Sequence, residues 1–217
     1  VYYRDYASNE HGTGYSPQAS LIADADGDGM LDDWEIEFLG STAASNGLQD
    51  GDGDGLIDLY EFQAGTLPTV VDSDTDGTDD PDEDPDADGL TSIQEQALGT
   101  HPSVADTDGD ETSDYDEDSD ADSLPNGWEL AHGLDAASSV GADGSAGDPD
   151  ADGYTNLNEY LGRSDPQQAG SVPVWYVKHD ASGTGDGSSW SNAYTTLQPA
   201  IEAAGAAGGG DVWVAAG

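Results

Sequence analysis

The chain has 217 residues, of which 47 are Asp or Glu and only 3 are Lys or Arg, so its formal net charge is −44. This strong negative charge argues against nucleic acid and anionic membrane surfaces as partners, because both would repel the chain. The lack of cysteine excludes disulfide staples, and no apolar run is long enough to span a bilayer.

High net charge with modest hydrophobicity is typical of a disordered acidic tail. Two features favour a folded chain instead: the sequence contains 5 Trp and 10 Tyr, and its acidic residues recur at regular spacing. Since three basic side chains cannot neutralise 47 acidic ones, the sequence predicts that bound cations do so.

Residues 1–20 precede the acidic region and are predicted to form an N-terminal strand segment. Residues 1–6, VYYRDY, have strand character. The longer stretch VYYRDYASNEHGTG also echoes VWYVKHDASGTGDG near the other end of the chain. The two stretches are either a related pair of strands or two independent strands.

Residues 21–170 contain seven twelve-residue units, which we call loops 1 to 7. They begin at residues 24, 50, 72, 84, 106, 118 and 148, so loops 3 and 4 are contiguous, as are loops 5 and 6. Each loop has Asp at positions 1, 3 and 5, a polar or acidic residue at position 9 and Glu at position 12. The residues at these positions are Asp24, Asp26, Asp28, Asp32 and Glu35; Asp50, Asp52, Asp54, Asp58 and Glu61; Asp72, Asp74, Asp76, Asp80 and Glu83; Asp84, Asp86, Asp88, Ser92 and Glu95; Asp106, Asp108, Asp110, Asp114 and Glu117; Asp118, Asp120, Asp122, Asn126 and Glu129; and Asp148, Asp150, Asp152, Asn156 and Glu159.

This spacing suits a hard cation. Ca²⁺ binds six to eight oxygen ligands at about 2.3–2.6 Å, and carboxylates on alternate residues of a tight turn can converge on one ion. Glycine at position 6 permits the turn, the carbonyl of position 7 adds an oxygen, and Glu at position 12 can add two. The predicted carbonyl ligands belong to Met30, Leu56, Thr78, Leu90, Thr112, Leu124 and Tyr154. Seven Ca²⁺ ions, at two charges each, would reduce the net charge from −44 to about −30.

Other cations fit the pattern less well. Mg²⁺ prefers a smaller octahedral shell with several retained waters. Zn²⁺ would require His or Cys, but all four histidines (His11, His101, His132 and His179) lie outside the loops. For the less regular loops, the alternative to a metal site is a solvated acidic face.

Two loops depart from the pattern at position 6, and a third is ambiguous at its end. Position 6 is Glu111 in loop 5 and Ser123 in loop 6, and a positive φ there would cost about 1 kcal/mol more than it costs glycine. In loop 3, Asp82 competes with Glu83 as the closing ligand, because no following helix is predicted to fix it.

Five of the loops are followed by a short helical segment with the closing Glu in its first turn, where a carboxylate suits the helix dipole. Each segment is predicted to end at a glycine in a left-handed cap. These glycines are Gly40, Gly65, Gly99, Gly133 and Gly162. A small packed core is predicted from Trp34, Ile36, Phe38, Tyr60, Phe62, Trp128, Leu130 and Tyr160. Stacking of carbohydrate on the Trp residues is the alternative.

Residues 171–217 have a different composition. Apolar residues at 174–177 and 212–214 predict two strands, and residues 195–205 predict a helix between them. The unit is therefore strand–helix–strand. Such a small sheet is marginal in water, and its open edge invites pairing.

Residues 21–170, with contiguous twelve-residue loops and units such as DSDADSLPNGWEL, resemble the thrombospondin type 3 repeat in its bacterial versions. The last 45 residues or so, with DGSSWSNAYTTLQPAI and VWVAAG, resemble the opening of a right-handed parallel β-helix protein of the pectin-lyase-like class. The resemblances imply a mostly irregular, calcium-stabilised repeat array with short helices, a small α/β segment at its carboxyl end, and an extracellular or cell-surface location in a bacterial-type secreted protein.

Three functions are compatible with the sequence. The first is a structural or adhesive protein in which calcium rigidifies a spacer, with self-association, another extracellular protein or a glycan as partner. The second is the calcium-binding stalk of a polysaccharide-active β-helix enzyme, and the third is a calcium buffer. No nucleophile–base set, open zinc site or phosphate-binding loop is visible, which favours a structural role over an enzyme. Strand addition between residues 1–6 of one copy and the carboxy-terminal sheet of the next would build a filament.

Overall fold

A computed structural model describes residues 24–42 and 46–216. Its helices are α1 (Asp32–Phe38), α2 (Asp58–Ala64), α3 (Ser92–Leu98), α4 (Asn126–Ala131), α5 (Asn156–Gly162) and α6 (Leu197–Ala206), and its strands are β1 (Val174–Val177) and β2 (Asp211–Val214). By its contacts the chain divides into two compact units, Val1–Thr107 and Asp108–Gly217. The predicted strand at residues 1–6 lies outside the described residues. Within the described ranges, no helix is both long and apolar enough to cross a membrane.

Helices α1 to α5 all begin at position 9 of a loop, namely of loops 1, 2, 4, 6 and 7. Each has only six or seven residues, which is too short to be stable in isolation. A recurrent backbone hydrogen bond closes the loops just before these helices: the N–H of position 9 donates to the carbonyl of the residue that precedes position 1. Examples are Asp58 to Gln49 at 2.7 Å and Asn156 to Gly147 at 2.8 Å. The helices therefore depend on the loops that start them.

The predicted glycine cap is wrong for α5. Gly65 and Gly99 do end α2 and α3 in the left-handed conformation, with φ of 86° and 83°. Gly162, however, is the last residue of α5, and the left-handed cap is Arg163 with φ of 57°. The glycine is required for packing, because a Cβ at Gly162 would overlap the ring of Pro173.

The apolar interior of the loop region is built mainly from position 7. Met30, Leu56, Leu90 and Leu124 are all at most 1 % exposed. Of the core predicted beside the closing glutamates, Trp34 is buried and packs against Phe38 and Phe62, with ring centroids 5.4 Å apart in both pairs. Phe38, Tyr60, Phe62, Trp128, Leu130 and Tyr160 are partly buried. Ile36 is 56 % exposed, so its assignment to the core was wrong; it lies on the outer face of α1.

The carboxy-terminal segment contains the predicted strand–helix–strand unit. Strands β1 and β2 are parallel, with Val174 opposite Asp211 and Val177 opposite Val214, and α6 is the crossover that such pairing requires. Trp175 and Val177 of β1 are buried against Ala200, Ala204 and Ala207. This is the one sheet among the described residues, and they contain no stacked coils of a β-helix.

The two edges of this sheet differ. On one side of β1, the N–H of Tyr176 donates to Gly187 O at 3.0 Å and that of Lys178 donates to Tyr194 O at 2.8 Å. On the other side, β2 is the last strand of the described sheet. Trp213 and Val214 of β2 are 49 % and 60 % exposed. Among residues 24–42 and 46–216, β2 is therefore an apolar edge strand with no neighbour on its outer side.

Candidate metal centres

The three alternating aspartates of a loop lie side by side. In each of loops 1 to 4, one carboxylate oxygen from each of positions 1, 3 and 5 lies within 4.8 Å of the other two. The backbone keeps them there, as loop 2 illustrates: Asp50 accepts from Gly53 N at 2.7 Å and from Gly55 N at 3.1 Å, and Asp54 Oδ1 accepts from Leu56 N at 2.8 Å. One turn of backbone thus holds like charges together.

Oxygen atoms within these turns remain without a hydrogen-bond partner. In loop 2 these include Asp52 Oδ2 and Asp54 Oδ2, which are both buried. The corresponding position-3 oxygens of loops 6 and 7, Asp120 Oδ2 and Asp150 Oδ2, are buried and partnerless as well. Buried carboxylate oxygens without hydrogen bonds are costly unless a cation or a proton accompanies them.

The closing glutamates give the strongest signal. Glu35, Glu61, Glu95, Glu129 and Glu159 are all 0 % exposed. Within the described part of the chain, both carboxylate oxygens of Glu35, Glu61 and Glu129 lack a hydrogen-bond partner, as does Oε2 of Glu159. Glutamate is almost never fully buried unless it is paired. The full burial of these glutamates therefore favours a role as metal ligands over a solvated acidic face.

The electrostatics of the closing glutamates agree with this geometry. Burial raises the pKa of Glu61 to about 8, and repulsion from Asp52 and Asp54 contributes. Burial likewise raises the pKa of Glu129 to about 8, with Asp122 and Asp120 contributing. The pKa values of Glu35 and Glu159 are raised to about 7, again mainly by burial. A positive charge in the loop would reverse these shifts.

Position 9 braces the loop through its side chain. The N–H of position 2 donates to it in loop 1 (Ala25 to Asp32 Oδ1, 2.7 Å) and in loop 6 (Ser119 to Asn126 Oδ1, 2.9 Å). In loop 3, Ser73 occupies both oxygens of Asp80, with its N–H at 2.8 Å and its hydroxyl at 2.6 Å. Asn156 in loop 7 differs, because its Oδ1 is buried without a partner. Ligation by position 9 stays a prediction.

Loops 6 and 7 use position 5 differently from loops 1 and 2. Asp28 Oδ2 in loop 1 is buried and partnerless, like Asp54 Oδ2 in loop 2. In loop 6 the corresponding oxygen of Asp122 accepts from Ser145 N, and in loop 7 that of Asp152 accepts from Gly170 N at 3.2 Å. Loops 6 and 7 thus attach the following segment through a carboxylate oxygen that, among the described residues, has no hydrogen-bond partner in loops 1 and 2.

In loop 3, the two candidate closing residues differ in burial and in their electrostatic surroundings. Asp82 is exposed, whereas Glu83 is partly buried. The pKa of Glu83 is raised by burial and then by Asp80 and Asp74 of its own loop, so its carboxylate lies near theirs. A short 3₁₀ turn, Asp80–Asp82, precedes it. The arrangement favours Glu83 as the ligand.

Loops 5 and 6 adopt a left-handed backbone at position 6 although neither has glycine there. Glu111 and Ser123 at position 6 have φ of 81° and 82°. Loop 5 begins in the first compact unit and ends in the second. In its part within the second unit, Asp108 Oδ1 accepts from Asp110 N at 3.1 Å and Asp110 Oδ1 accepts from Thr112 N at 2.8 Å.

A hydroxyl that the sequence analysis missed contacts the closing glutamate in two loops. Ser164 Oγ donates to Glu159 Oε1 at 3.1 Å, and Thr100 Oγ1 lies 3.5 Å from Glu95 Oε1. Thr66 occupies the same place after Glu61, where its hydroxyl lies 3.5 Å from the backbone carbonyl. All three residues follow the closing Glu by five positions, directly after the left-handed cap. That recurrence is visible in the sequence and could have identified them.

Comparisons with known proteins do not identify a family for this chain. The chain matches no protein-family model, and neither the curated proteins nor the solved structures include a significant match. Its function must therefore be inferred from the loops themselves.

Proposed function

We propose that this chain is an extracellular calcium-binding structural or adhesive protein, in which bound Ca²⁺ ions order and stiffen the loop region. One observation carries the proposal: the carboxylates of Glu35, Glu61 and Glu129 are fully buried beside the aspartates of their own loops, without a hydrogen-bond partner. Oxygen-only ligands in this number suit Ca²⁺ better than Zn²⁺ or Mg²⁺.

In this proposal calcium acts as a folding ligand. Each of α1 to α5 is too short to persist alone, and each begins inside a loop whose carboxylates repel one another. An ion in the loop would remove that repulsion and fix the start of the helix, so the free energy of binding becomes free energy of folding. Affinities of about 10⁻⁴–10⁻³ M, as in extracellular modules, would keep the loops occupied in calcium-rich surroundings.

Contacts between loops favour a stiffening role over a role as a simple calcium buffer. In the first unit, a Cβ at Gly29 of loop 1 would lie 3.3 Å from Leu59 Cδ1, and a Cβ at Gly55 of loop 2 would lie 3.8 Å from Ile93 Cδ1. Leu59 and Ile93 both occupy position 10 of a following loop. Loop 1 thus packs on loop 2, and loop 2 packs on loop 4. As in quasi-linear repeat proteins, ordering one of these loops would restrict the loop that it contacts.

The test is a calcium titration of the chelator-treated chain, followed by circular dichroism, with ions counted by native mass spectrometry. We expect the helix signal to increase as calcium is added, and we expect up to about seven ions to bind per chain. Mg²⁺ at the same concentration should be less effective. Limited proteolysis should cut residues 24–170 readily in chelator and slowly in calcium. Identical spectra and cleavage patterns in the two conditions would rule out the proposal.

A further inference from the structure

Gln96 connects α3 to loop 2. Its Nε2 donates to Gly55 O at 3.0 Å, and its Oε1 accepts from Ile57 N at 2.8 Å. Gly55 and Ile57 flank Leu56, whose carbonyl is the position-7 ligand predicted for loop 2. One side-chain amide, from a residue about 40 positions along the chain, therefore holds the Gly55 carbonyl and the Ile57 N–H. The Ile57 N–H belongs to the same peptide group as the predicted ligand carbonyl of Leu56.

The surrounding contacts make this a defined interface. Ile93, also on α3, lies against Gly55, where a Cβ would be 3.8 Å from Ile93 Cδ1. Leu56 is 0 % exposed. On the loop 4 side, Gln96 follows directly after Glu95, the fully buried closing residue of that loop. The position of the Gln96 amide is thus set by the helix that loop 4 starts.

Gln96 has no counterpart in the other loop-initiated helices. The residue directly after the closing glutamate is apolar in the remaining four, namely Ile36, Phe62, Leu130 and Tyr160. Packing contacts recur between loops, but this amide clamp belongs to the pair formed by loops 2 and 4. Since none of these four side chains carries an amide, the other helices cannot make this link from the same position.

We infer that Gln96 couples calcium binding at loop 4 to calcium binding at loop 2. The inference rests on the proposed calcium function. Calcium in loop 4 orders α3, a helix of only seven residues that is unstable alone. Ordered α3 places the Gln96 amide, which fixes the Gly55 and Ile57 peptides and so pre-orients the Leu56 carbonyl. Coupling between two equilibrium binding sites is reciprocal, so an ion in loop 2 strengthens loop 4 by the same factor.

Gln96 is a positioning residue, and its test needs a readout for each loop. The backbone amides of Gly55 and Gly89 provide one, because they occupy position 6 and donate to Asp50 and Asp84 respectively. Following both amides by NMR during a Ca²⁺ titration of the full chain reports loops 2 and 4 separately. The variants are Gln96→Met, which keeps length and helix propensity, and Gln96→Glu, which retains the acceptor but not the donor. Gln63→Met is the matched control, since the described contact of Gln63 is a backbone carbonyl that accepts from Ser103.

We expect Gln96→Met to weaken calcium binding at Gly55 by about threefold to tenfold, the range that one or two neutral hydrogen bonds produce. Asp84→Asn, which removes a ligand of loop 4, should lower the calcium affinity of loop 2 in the parent chain. In the Gln96→Met background it should have little further effect on that affinity. Gln96→Glu should give an intermediate result, and Gln63→Met should match the parent. Calcium binding at both amides with no change in either Gln96 variant would overturn the coupling but leave the proposed function intact. Absence of calcium binding at both amides would overturn the two together.

Discussion

Ser164 Oγ donates a hydrogen bond to Glu159 Oε1 at 3.1 Å, while Glu159 Oε2 is buried without a partner. The hydroxyl thereby fixes the rotamer of the closing carboxylate, which is the role of an outer-shell residue at a metal site. It also lowers the pKa of Glu159, opposing the larger effect of burial, which raises that pKa to about 7. Ser164 is thus suited to hold Glu159 ionised and oriented.

Removal of this hydroxyl should weaken loop 7. We expect Ser164→Ala to reduce calcium affinity at loop 7 by about tenfold, at the low end for the loss of an outer-shell partner, as measured by NMR of the Gly153 amide. Ser164→Thr should retain the affinity, because Thr100 makes the equivalent contact with Glu95. Ser182→Ala, at an exposed position, is the control. Equal affinities in Ser164→Ala and Ser182→Ala would contradict the orienting role.

Calcium affinity should depend on pH through the closing glutamates. Without calcium, burial raises the pKa of Glu61 in the folded chain from 4.5 to about 8. Protonation of Glu61 therefore stabilises the calcium-free folded state. This contribution to stability is fully present below about pH 4.5 and is lost as the pH rises through about 8. Calcium requires the ionised form, so its affinity should increase over the same interval and then level off.

The measurement is isothermal calorimetry at pH 6.5 in buffers that differ in ionisation enthalpy. The apparent binding enthalpy should vary between buffers, with a slope that corresponds to protons released from the protein. Glu61→Gln, which cannot take up that proton, should release fewer. A binding enthalpy that is independent of the buffer would show that the glutamates are already ionised without calcium.

Glu61→Gln should have opposite effects with and without calcium. In millimolar calcium the substitution should remove one bound ion and lower the free energy of unfolding by about 1.4 kcal/mol, the linkage term for a site at roughly ten times its Kd. In chelator it should be neutral or stabilising, because it removes a buried carboxylate without a hydrogen-bond partner. Glu37→Gln, at an exposed position on α1, is the matched control. Native mass spectrometry should show the other loops still occupied, and loss of every ion would contradict a modular array.

Ser123→Gly should strengthen loop 6. Ser123 has φ of 82°, which costs about 1 kcal/mol more for serine than for glycine. Its N–H bond to Asp118 Oδ2, at 2.7 Å, involves the backbone and survives the substitution. We expect an increase of about fivefold in calcium affinity at loop 6 for Ser123→Gly, and none for Ser123→Ala, since alanine retains a Cβ. An equal gain in both variants would assign the effect to the hydroxyl instead of the backbone.

The loops and helices could be predicted from the sequence because ligand geometry fixes residue type at many positions at once. Alternating Asp, a left-handed position 6 and a closing Glu leave few other arrangements, so the helices begin close to where the pattern places them. The left-handed conformation of position 4, adopted by Thr75 and Ala87 with φ of 64°, was missed because no glycine marks it in those loops.

Contacts across long sequence separations were not predictable in the same way. The exposure of Ile36 depends on which face of α1 meets its surroundings, and the twelve-residue period does not specify that. The Gln96 clamp depends on the approach of α3 to loop 2, and the need for glycine at position 162 depends on Pro173 occupying the space beside it. In each case tertiary packing overrides a local signal.

Self-association through the edge of the carboxy-terminal sheet is the last prediction. Strand β2 borders the sheet, with Trp213 and Val214 49 % and 60 % exposed, and an exposed apolar edge is a template for strand addition. The proposed added strand, residues 1–6, lies outside the described residues, and its pairing with β2 of another copy would propagate head to tail. Light scattering in millimolar calcium should show assemblies for the whole chain, and deletion of residues 1–8 or the edge substitution Val214→Lys should reduce them to monomers. Val140→Lys, at a position 72 % exposed outside the sheet, is the control for added charge. A chain that remains monomeric at high concentration, or assemblies that persist in both edge variants, would exclude β2 as the contact.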